Sequence, residues 1–310
     1  VDEWGLNLSN TLHLDVSEQE IEQAFAPGVE RTVSAQDSEW MVREKQLRTK
    51  LLKPLPWWRR ILRPASDPSV REIYEEKWTP EAALARFTRR PDNRGAIVWG
   101  DRRYFAYSIW VKRVHLLFLM RLIEKLKPTN ILEVGSGMGL NLCILAAQFP
   151  NTKFTGIELT AAGDEVARTF RAMPKLPEQF RQFSPLPIVD EEAHQRIELH
   201  QGSAAQLPFK KSSFDLAYSI QALEQMESIR DQVLEQMANV CSGHVAMFEP
   251  FAEWNKDPMR HALISSKRYF SASFTDLRRY GFEPVFTSGD MPTKLAYGVG
   301  LVVARRLPQE

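Results

Sequence analysis

The sequence predicts an α/β fold: a mostly parallel, seven-stranded sheet with an antiparallel C-terminal hairpin, preceded by a mainly helical N-terminal extension. Three observations predict it. Beyond residue 127, short apolar runs alternate regularly with amphipathic stretches, the pattern of strands buried on both faces with helices between them. The last two apolar runs are joined only by Ser288-Gly-Asp-Met-Pro-Thr293, too short for a crossover helix, so they read as a hairpin at a sheet edge. Up to residue 127 the chain reads as helices and irregular connections without β-alternation.

Taken in order, Ser17-Glu-Gln-Glu20 has capping-box spacing ahead of the periodic pair Ile21 and Phe25. Leu51–Pro68 combines Pro54, Pro56, Trp57, Trp58, Arg59, Arg60, Pro64 and Pro68 and is too proline-dense for a regular element. Thr79-Pro80-Glu81 offers a second helix start, with threonine at the cap and proline at the first helical position. A long helical pattern runs from Tyr104 to Lys127 and breaks at Pro128. The strands expected after it are Asn130–Val134, Lys153–Glu158, Arg196–His200, Phe214–Ser219, His244–Phe248, Glu283–Thr287 and Leu295–Ala304. The helices expected between them are Leu140–Gln148, Ala161–Arg171, Met226–Val240 and Ser271–Arg279. The division expected is an extension or cap over residues 1–103 and a catalytic domain over residues 104–310.

The 310 residues are 44% hydrophobic and 25% charged, ordinary for a globular chain with a sizeable core. The net charge of +1 argues neither for nor against a polyanionic partner. Its distribution is uneven, with 21 Lys and Arg against 9 Asp and Glu between Val42 and Lys127. Such a segment can steer anions or be a solvated helical surface. The two cysteines, Cys143 and Cys241, lie in apolar stretches and suit a reducing compartment. The six histidines are scattered, and no metal-ligand spacing is present. The run Val114-His-Leu-Leu-Phe-Leu-Met120 is too short to span a bilayer, and Val-Asp-Glu-Trp is unlike a secretion signal. The expectation is a cytoplasmic protein with at most peripheral membrane contact, through Pro54-Leu-Pro-Trp-Trp-Arg-Arg60. The oligomeric state is not legible.

Glu133-Val-Gly-Ser-Gly-Met-Gly139 follows a buried strand and opens a helix. Glycines there permit positive φ and close approach of backbone amides to a ligand. Dinucleotide sites use similar loops, but their third glycine falls one place later, at Leu140 in this chain. The next strand ends in Glu158, an acid placed to accept hydrogen bonds from ribose hydroxyls.

With Gly202-Ser-Ala-Ala-Gln-Leu-Pro-Phe209 and Phe214-Asp-Leu-Ala-Tyr-Ser219, these motifs resemble the class I S-adenosylmethionine (SAM)-dependent methyltransferases, which have a Rossmann-like sheet. The similarity is greatest to the small-molecule branch that includes ubiquinone/menaquinone and sterol-type enzymes. It covers about Ile109 to Arg305. The resemblance implies SAM as cofactor, held by Glu133, Gly135, Ser136, Gly137 and Gly139 at the methionine moiety and by Glu158 at the ribose, with Leu159 also among the cofactor-binding positions. It places Ser203 and Ala204 by the adenine and Ser219 on the fourth strand beside the sulfonium, with Gln221, which follows that strand, also among the cofactor-binding positions. Two positions depart from the family pattern: Ser203 replaces the usual aspartate, and Leu223-Glu-Gln225 replaces a Leu-Glu-His. Gln225 cannot titrate as a base.

Candidate catalytic residues on the acceptor side are Glu249 and Glu224, near the carboxyl ends of strands, and His261 in the insertion after the fifth strand. Tyr104, Tyr107 and Trp110 are candidate lid residues, because aromatic faces suit a sulfonium. The insert Met173–Ala193 is expected to form a loop or short helix near the site. The expected function is methyl transfer to a small-molecule or lipid-linked acceptor. The alternatives are a nucleic-acid methyltransferase using the basic segment, disfavoured because Tyr218-Ser-Ile-Gln221 lacks an N/D-P-P-Y/F motif, and a non-catalytic SAM-binding regulator.

Overall fold

A computed structural model of the chain describes residues 12–52, 79–87, 89, 93–267, 270 and 272–308. The Pro54–Arg60 segment lies outside the described residues. The N-terminal part comprises α1 (Glu18–Phe25), β1 (Val29–Val33), α2 (Ser38–Leu52), α3 (Pro80–Ala85), β2 (Arg94–Trp99) and β3 (Arg102–Tyr107). There follow α4 (Ile109–Leu126), β4 (Asn130–Val134), α5 (Leu140–Gln148), β5 (Lys153–Glu158), α6 (Ala161–Arg171), α7 (Glu178–Phe183), β6 (Glu198–Gln201) and β7 (Phe214–Ile220). The remainder is α8 (Arg230–Val240), β8 (Cys241–Glu249), α9 (Pro258–Lys267), β9 (Phe282–Ser288), β10 (Thr293–Lys294) and β11 (Gly300–Arg306).

Seven strands form one sheet in the order β6-β5-β4-β7-β8-β11-β9. Pairs among β6, β5, β4, β7 and β8 are parallel, while β11 runs antiparallel to both β8 and β9. Ile131, Leu132 and Val134 of β4 and Leu216, Ala217 and Tyr218 of β7 are fully buried, as strands covered on both faces must be. The fold class is therefore the mixed α/β arrangement expected.

The N-terminal helices start where the caps lie. The Ser17 hydroxyl accepts from the Glu20 N–H at 3.2 Å, and the Glu20 carboxylate accepts from the Ser17 N–H at 2.9 Å. Those bonds and the Arg121 guanidinium hold the Glu20 carboxyl down at about 2. Thr79 caps α3 through the Ala82 N–H at 3.1 Å, with Pro80 in the first turn.

Several expectations need correction. The helix expected from Tyr104 begins at Ile109, because residues 102–107 are the strand β3. This strand pairs antiparallel with β2 across the Gly100-Asp101 turn, where Gly100 has φ +54°. The run Arg-Arg-Tyr-Phe-Ala-Tyr feeds straight into the apolar spacing of α4, so the two elements merge in the sequence pattern. Nor is the region before residue 127 free of strands: β1, β3, β2 and β10 form a second, four-stranded sheet. The strand expected from Leu295 begins at Gly300, and the preceding Thr293 and Lys294 pair with Val98 and Ile97 of β2. Those two residues bind the small sheet to the large one. The helix expected over Ser271–Arg279 is, in its described part, a 3-10 segment over Phe274–Tyr280. No helix among the described residues is long and apolar enough to cross a membrane.

Candidate active site

The loop leaving β4 carries Gly135, Gly137 and Gly139 at φ +75°, +53° and +73°. A side chain in that region strains the backbone. At Gly135 a Cβ would also overlap the Cβ of Ala222, and at Gly139 it would lie 3.0 Å from the Cβ of Ala167. The N–H groups of Gly135 and Ser136 both donate to the Ile157 carbonyl, at 2.9 and 3.0 Å, which fastens the loop to the end of β5. Glu158 completes the clamp. One carboxylate oxygen accepts from the Gly137 N–H at 2.8 Å, and the other accepts from the Thr160 N–H at 3.0 Å and hydroxyl at 2.7 Å.

Beneath the loop, Glu133 is buried and accepts from the Asn141 amide at 2.7 Å. Burial pushes its carboxyl up to about 8, with the hydrogen bond from Asn141 pulling the other way.

The loop borders a cavity of about 300 Å³. Gly135, Ser136, Gly137, Glu158, Leu159, Ser203, Ala204, Gln221 and Glu224 line it, and so do Ile109, Lys112, Met138, Asn141 and Lys294. Two buried acceptor atoms of this lining, Asn141 Oδ1 and Glu224 Oε2, have no donor among the described residues. A second cavity of about 260 Å³ adjoins it. Arg86, Ile109, Lys112, Gln221 and Lys294 line both, so the two share a wall. Gln221 holds its place there at φ +53°, its N–H donating to the Phe248 carbonyl at 3.0 Å.

The acceptor-side candidates separate. Glu249 is fully buried and lines neither cavity. Its Oε1 accepts from the Ser219 hydroxyl at 2.9 Å and the Ala222 and Leu223 N–H groups at 3.1 and 3.0 Å, while Oε2 accepts from the Glu224 N–H at 3.0 Å. It thus shapes the turn after β7. Burial and the neighbouring Glu224 charge raise its carboxyl to about 8 against those donors. Glu224 lines the first cavity, and burial raises its carboxyl while Lys294 and the Gln225 amide work to lower it. Ser219 is buried on Glu249 and lines neither cavity. His261 is exposed on α9, away from both.

The aromatic lid candidates also face elsewhere. Tyr104 packs edge-on against Phe25, and Trp110 against Phe183. None of Tyr104, Tyr107 and Trp110 lines either cavity. The insert 173–193 forms the short helix α7, but Phe180 and Phe183 are buried and no residue of the insert lines a cavity. What the sequence reading missed is the set Arg86, Lys112, His115, Asn141 and Lys294. The available signal was Lys112 and His115, which interrupt the apolar face of a helix whose other residues from Val114 to Met120 are buried.

Fold and loop define an open α/β sheet whose glycine loop and first cavity lie at the carboxyl ends of its strands, where such sheets bind their ligands. Residues 132–246 match the family described as "Methyltransferase domain". The fold is similar to those of a SAM-dependent methyltransferase from Methanosarcina mazei, with 17% identity over 58% of this chain and 93% of the other at a TM-score of 0.44. It is also similar to magnesium protoporphyrin IX methyltransferase from Synechocystis, solved with bound SAH, with 13% identity over 63% and 83% at a TM-score of 0.44. A third is geranyl diphosphate C-methyltransferase from Streptomyces coelicolor, solved with geranyl diphosphate and S-adenosyl-L-homocysteine, with 10% identity over 79% and 99% at a TM-score of 0.49. By the family match, residues 132–246 carry a methyltransferase domain, which supports a SAM-dependent enzyme with SAM as cofactor. The site suits that group: SAM carries an ammonium and a sulfonium, and the donorless acceptors Asn141 Oδ1 and Glu224 Oε2 line the cavity beside the glycine loop.

Proposed function

We propose that this enzyme methylates a small-molecule or lipid-intermediate acceptor that occupies the second cavity. The observation that carries the reading is the wall of Ile109, Lys112, Gln221 and Lys294 common to both cavities, which sets a second ligand directly beside the first. A cavity of about 260 Å³ suits a small molecule. The described part of the basic segment supports the same reading against a nucleic-acid platform, because three of its arginines are engaged internally. Arg94 pairs with Glu30 and Glu39, Arg102 with Glu18 and Glu22, and Arg121 with Glu20 and Glu124.

Bound SAM supplies an electrophilic methyl on a positively charged sulfur. In this reading Glu158 takes the ribose hydroxyls, and Ser203, Ala204 and Leu159 flank the adenine. The open N–H groups at the start of α5 and the Asn141 carbonyl face the methionine end. Glu224 is the one carboxylate of the lining besides Glu158, and burial favours its taking up a proton. It therefore serves as the proton acceptor when the methylated atom carries one. Residues 104–310 act as the catalytic unit, and the preceding chain as a cap that closes the second cavity through Arg86, Asn93 and Arg94.

The test is incubation of cell extract with enzyme and isotopically labelled SAM, followed by mass identification of the labelled product. Small labelled products support the proposal; SAH binding with no product makes the protein a non-catalytic binder. Glu158→Ala is expected to weaken SAH binding at least about tenfold by calorimetry. Wild-type affinity in that variant would remove Glu158 from the cofactor site.

A further inference from the structure

The second cavity has a one-sided electrostatic character. Its lining contains Arg86, Arg94, Lys112 and Lys294 and not one carboxylate. Arg94 is neutralised by Glu30 and Glu39. Lys112 and Lys294 make no ion pair with any described residue, though both line the same cavity. Their nearest acids, Glu133 and Glu224, lie on the cofactor side of the shared wall or beneath it. Lys294 is exposed at the rim of this cavity, whereas Lys112 is desolvated within it, and an ammonium taken out of water favours a counter-charge.

A second, independent observation points to a ligand in the same place. His115 is 0% exposed, lines this cavity and not the first, and has no hydrogen-bond partner among the described residues at either ring nitrogen. Its ring is stacked on Phe248 at 5.0 Å, which fixes its plane. Buried imidazoles almost always find partners. Burial, with Lys112 and Lys294 nearby, holds its pKa down at about 3, so the ring is neutral and offers one donor and one acceptor.

We propose that the second cavity recognises the anionic group of the methyl acceptor, a carboxylate or a phosphate, between Lys112 and Lys294, with His115 hydrogen-bonded to the same molecule. This rests on the reading that the acceptor occupies that cavity. Charge-assisted hydrogen bonds from both lysines give the anion its affinity, and the absence of a carboxylate in the lining leaves nothing to repel it. The rival assignment is that the lysines hold the carboxylate of SAM itself, since both also line the first cavity.

The experiment is calorimetric titration of SAH-saturated protein with benzoate in one arm and inorganic phosphate in the other. It uses wild type, Lys112→Met, Lys294→Met and His115→Leu. At least one anion is expected to bind the wild type. Its affinity should fall at least about tenfold in each lysine variant and severalfold in His115→Leu. SAH affinity, measured on the same samples, should change far less and certifies that each variant is folded. The arm that binds more tightly identifies carboxylate or phosphate as the native group. Two results overturn the proposal: normal SAH binding with neither anion bound, or SAH affinity falling in step with anion affinity in the lysine variants. Failure of the wild type to bind SAH would instead refute the cofactor site, a different result from either.

Discussion

Gly135 offers a quantitative test of the cofactor loop. Gly135→Ala forces a Cβ onto a residue at φ +75°, which costs about 1–2 kcal/mol. The new methyl also overlaps the Ala222 Cβ, and overpacking of that kind costs about 1–3 kcal/mol. The single variant should therefore lose about 2–5 kcal/mol, divided between stability and the affinity of the displaced loop for SAH. Ala222→Gly removes the overlap and leaves the φ strain. At Ala222, φ −100° and ψ −45° suit any residue, so that change alone costs about 0.5–1 kcal/mol. Urea denaturation and SAH calorimetry on wild type, both single variants and the double variant complete a cycle. The expected coupling is about 1–3 kcal/mol in favour of the double variant. Additive effects, within about 0.5 kcal/mol, would refute the argument that the loop and the turn after β7 are in steric contact at this point.

The two glutamates after β7 and β8 should respond differently. Glu224→Gln is expected to lower kcat while leaving the urea midpoint in place. Glu249→Gln, which turns an amide N–H toward donors now satisfied by a carboxylate, should cost about 1–3 kcal/mol in the same denaturation assay. An unchanged kcat in the first, or an unchanged midpoint in the second, would reverse the roles. Stability itself should depend on pH. The Glu133 and Glu249 carboxyls stand at about 8 in the fold against 4.5 for the ordinary group, so between those values the native chain binds more protons than the unfolded one and stability falls as pH rises. His115, lowered from 6.5 to about 3, acts oppositely only below 6.5. The fall should therefore be clearest between 6.5 and about 8, read as a declining urea midpoint; a flat or rising midpoint there would place both carboxylates in the ionised state. Above that window Lys112, lowered to about 8 by burial and by Arg86 and Lys294 against the pull of Glu133 and Glu224, loses its charge. Affinity for benzoate or phosphate should accordingly weaken as pH rises through about 8, whereas persistence of full affinity well above it would exclude Lys112 as the anion's partner.

Strands β4 and β5 and helices α5 and α6 were legible to the residue, because each depends on local signals. A fully buried strand reads as an unbroken apolar run, and glycine or a capping Thr160 marks the next helix. The small sheet was not legible for the opposite reason. Val29–Val33 carries Glu30, Arg31 and Thr32, and its strand state comes from pairing with β3, some 75 residues away by the Val29–Ala106 pair. The Gly100-Asp101 turn was a usable hairpin signal, masked by the apolar spacing that follows it. In the site, the glycine loop and Glu158 stood out because loop and acid form a local pattern. Arg86, Lys112 and Lys294 come from three elements and meet only when β10 pairs with β2, so no spacing rule announces them.

That pairing has a thermodynamic consequence. Lys294 sits on a two-residue strand tied to the small sheet on one side, and its side chain borders both cavities. Whatever fills one cavity therefore completes the boundary of the other. Ligands joined in this way are linked reciprocally: the factor by which SAH strengthens anion binding equals the factor by which the anion strengthens SAH binding. In the proposed complex the β2–β10 seam thus carries one coupling factor, which titration from either ligand's side should return.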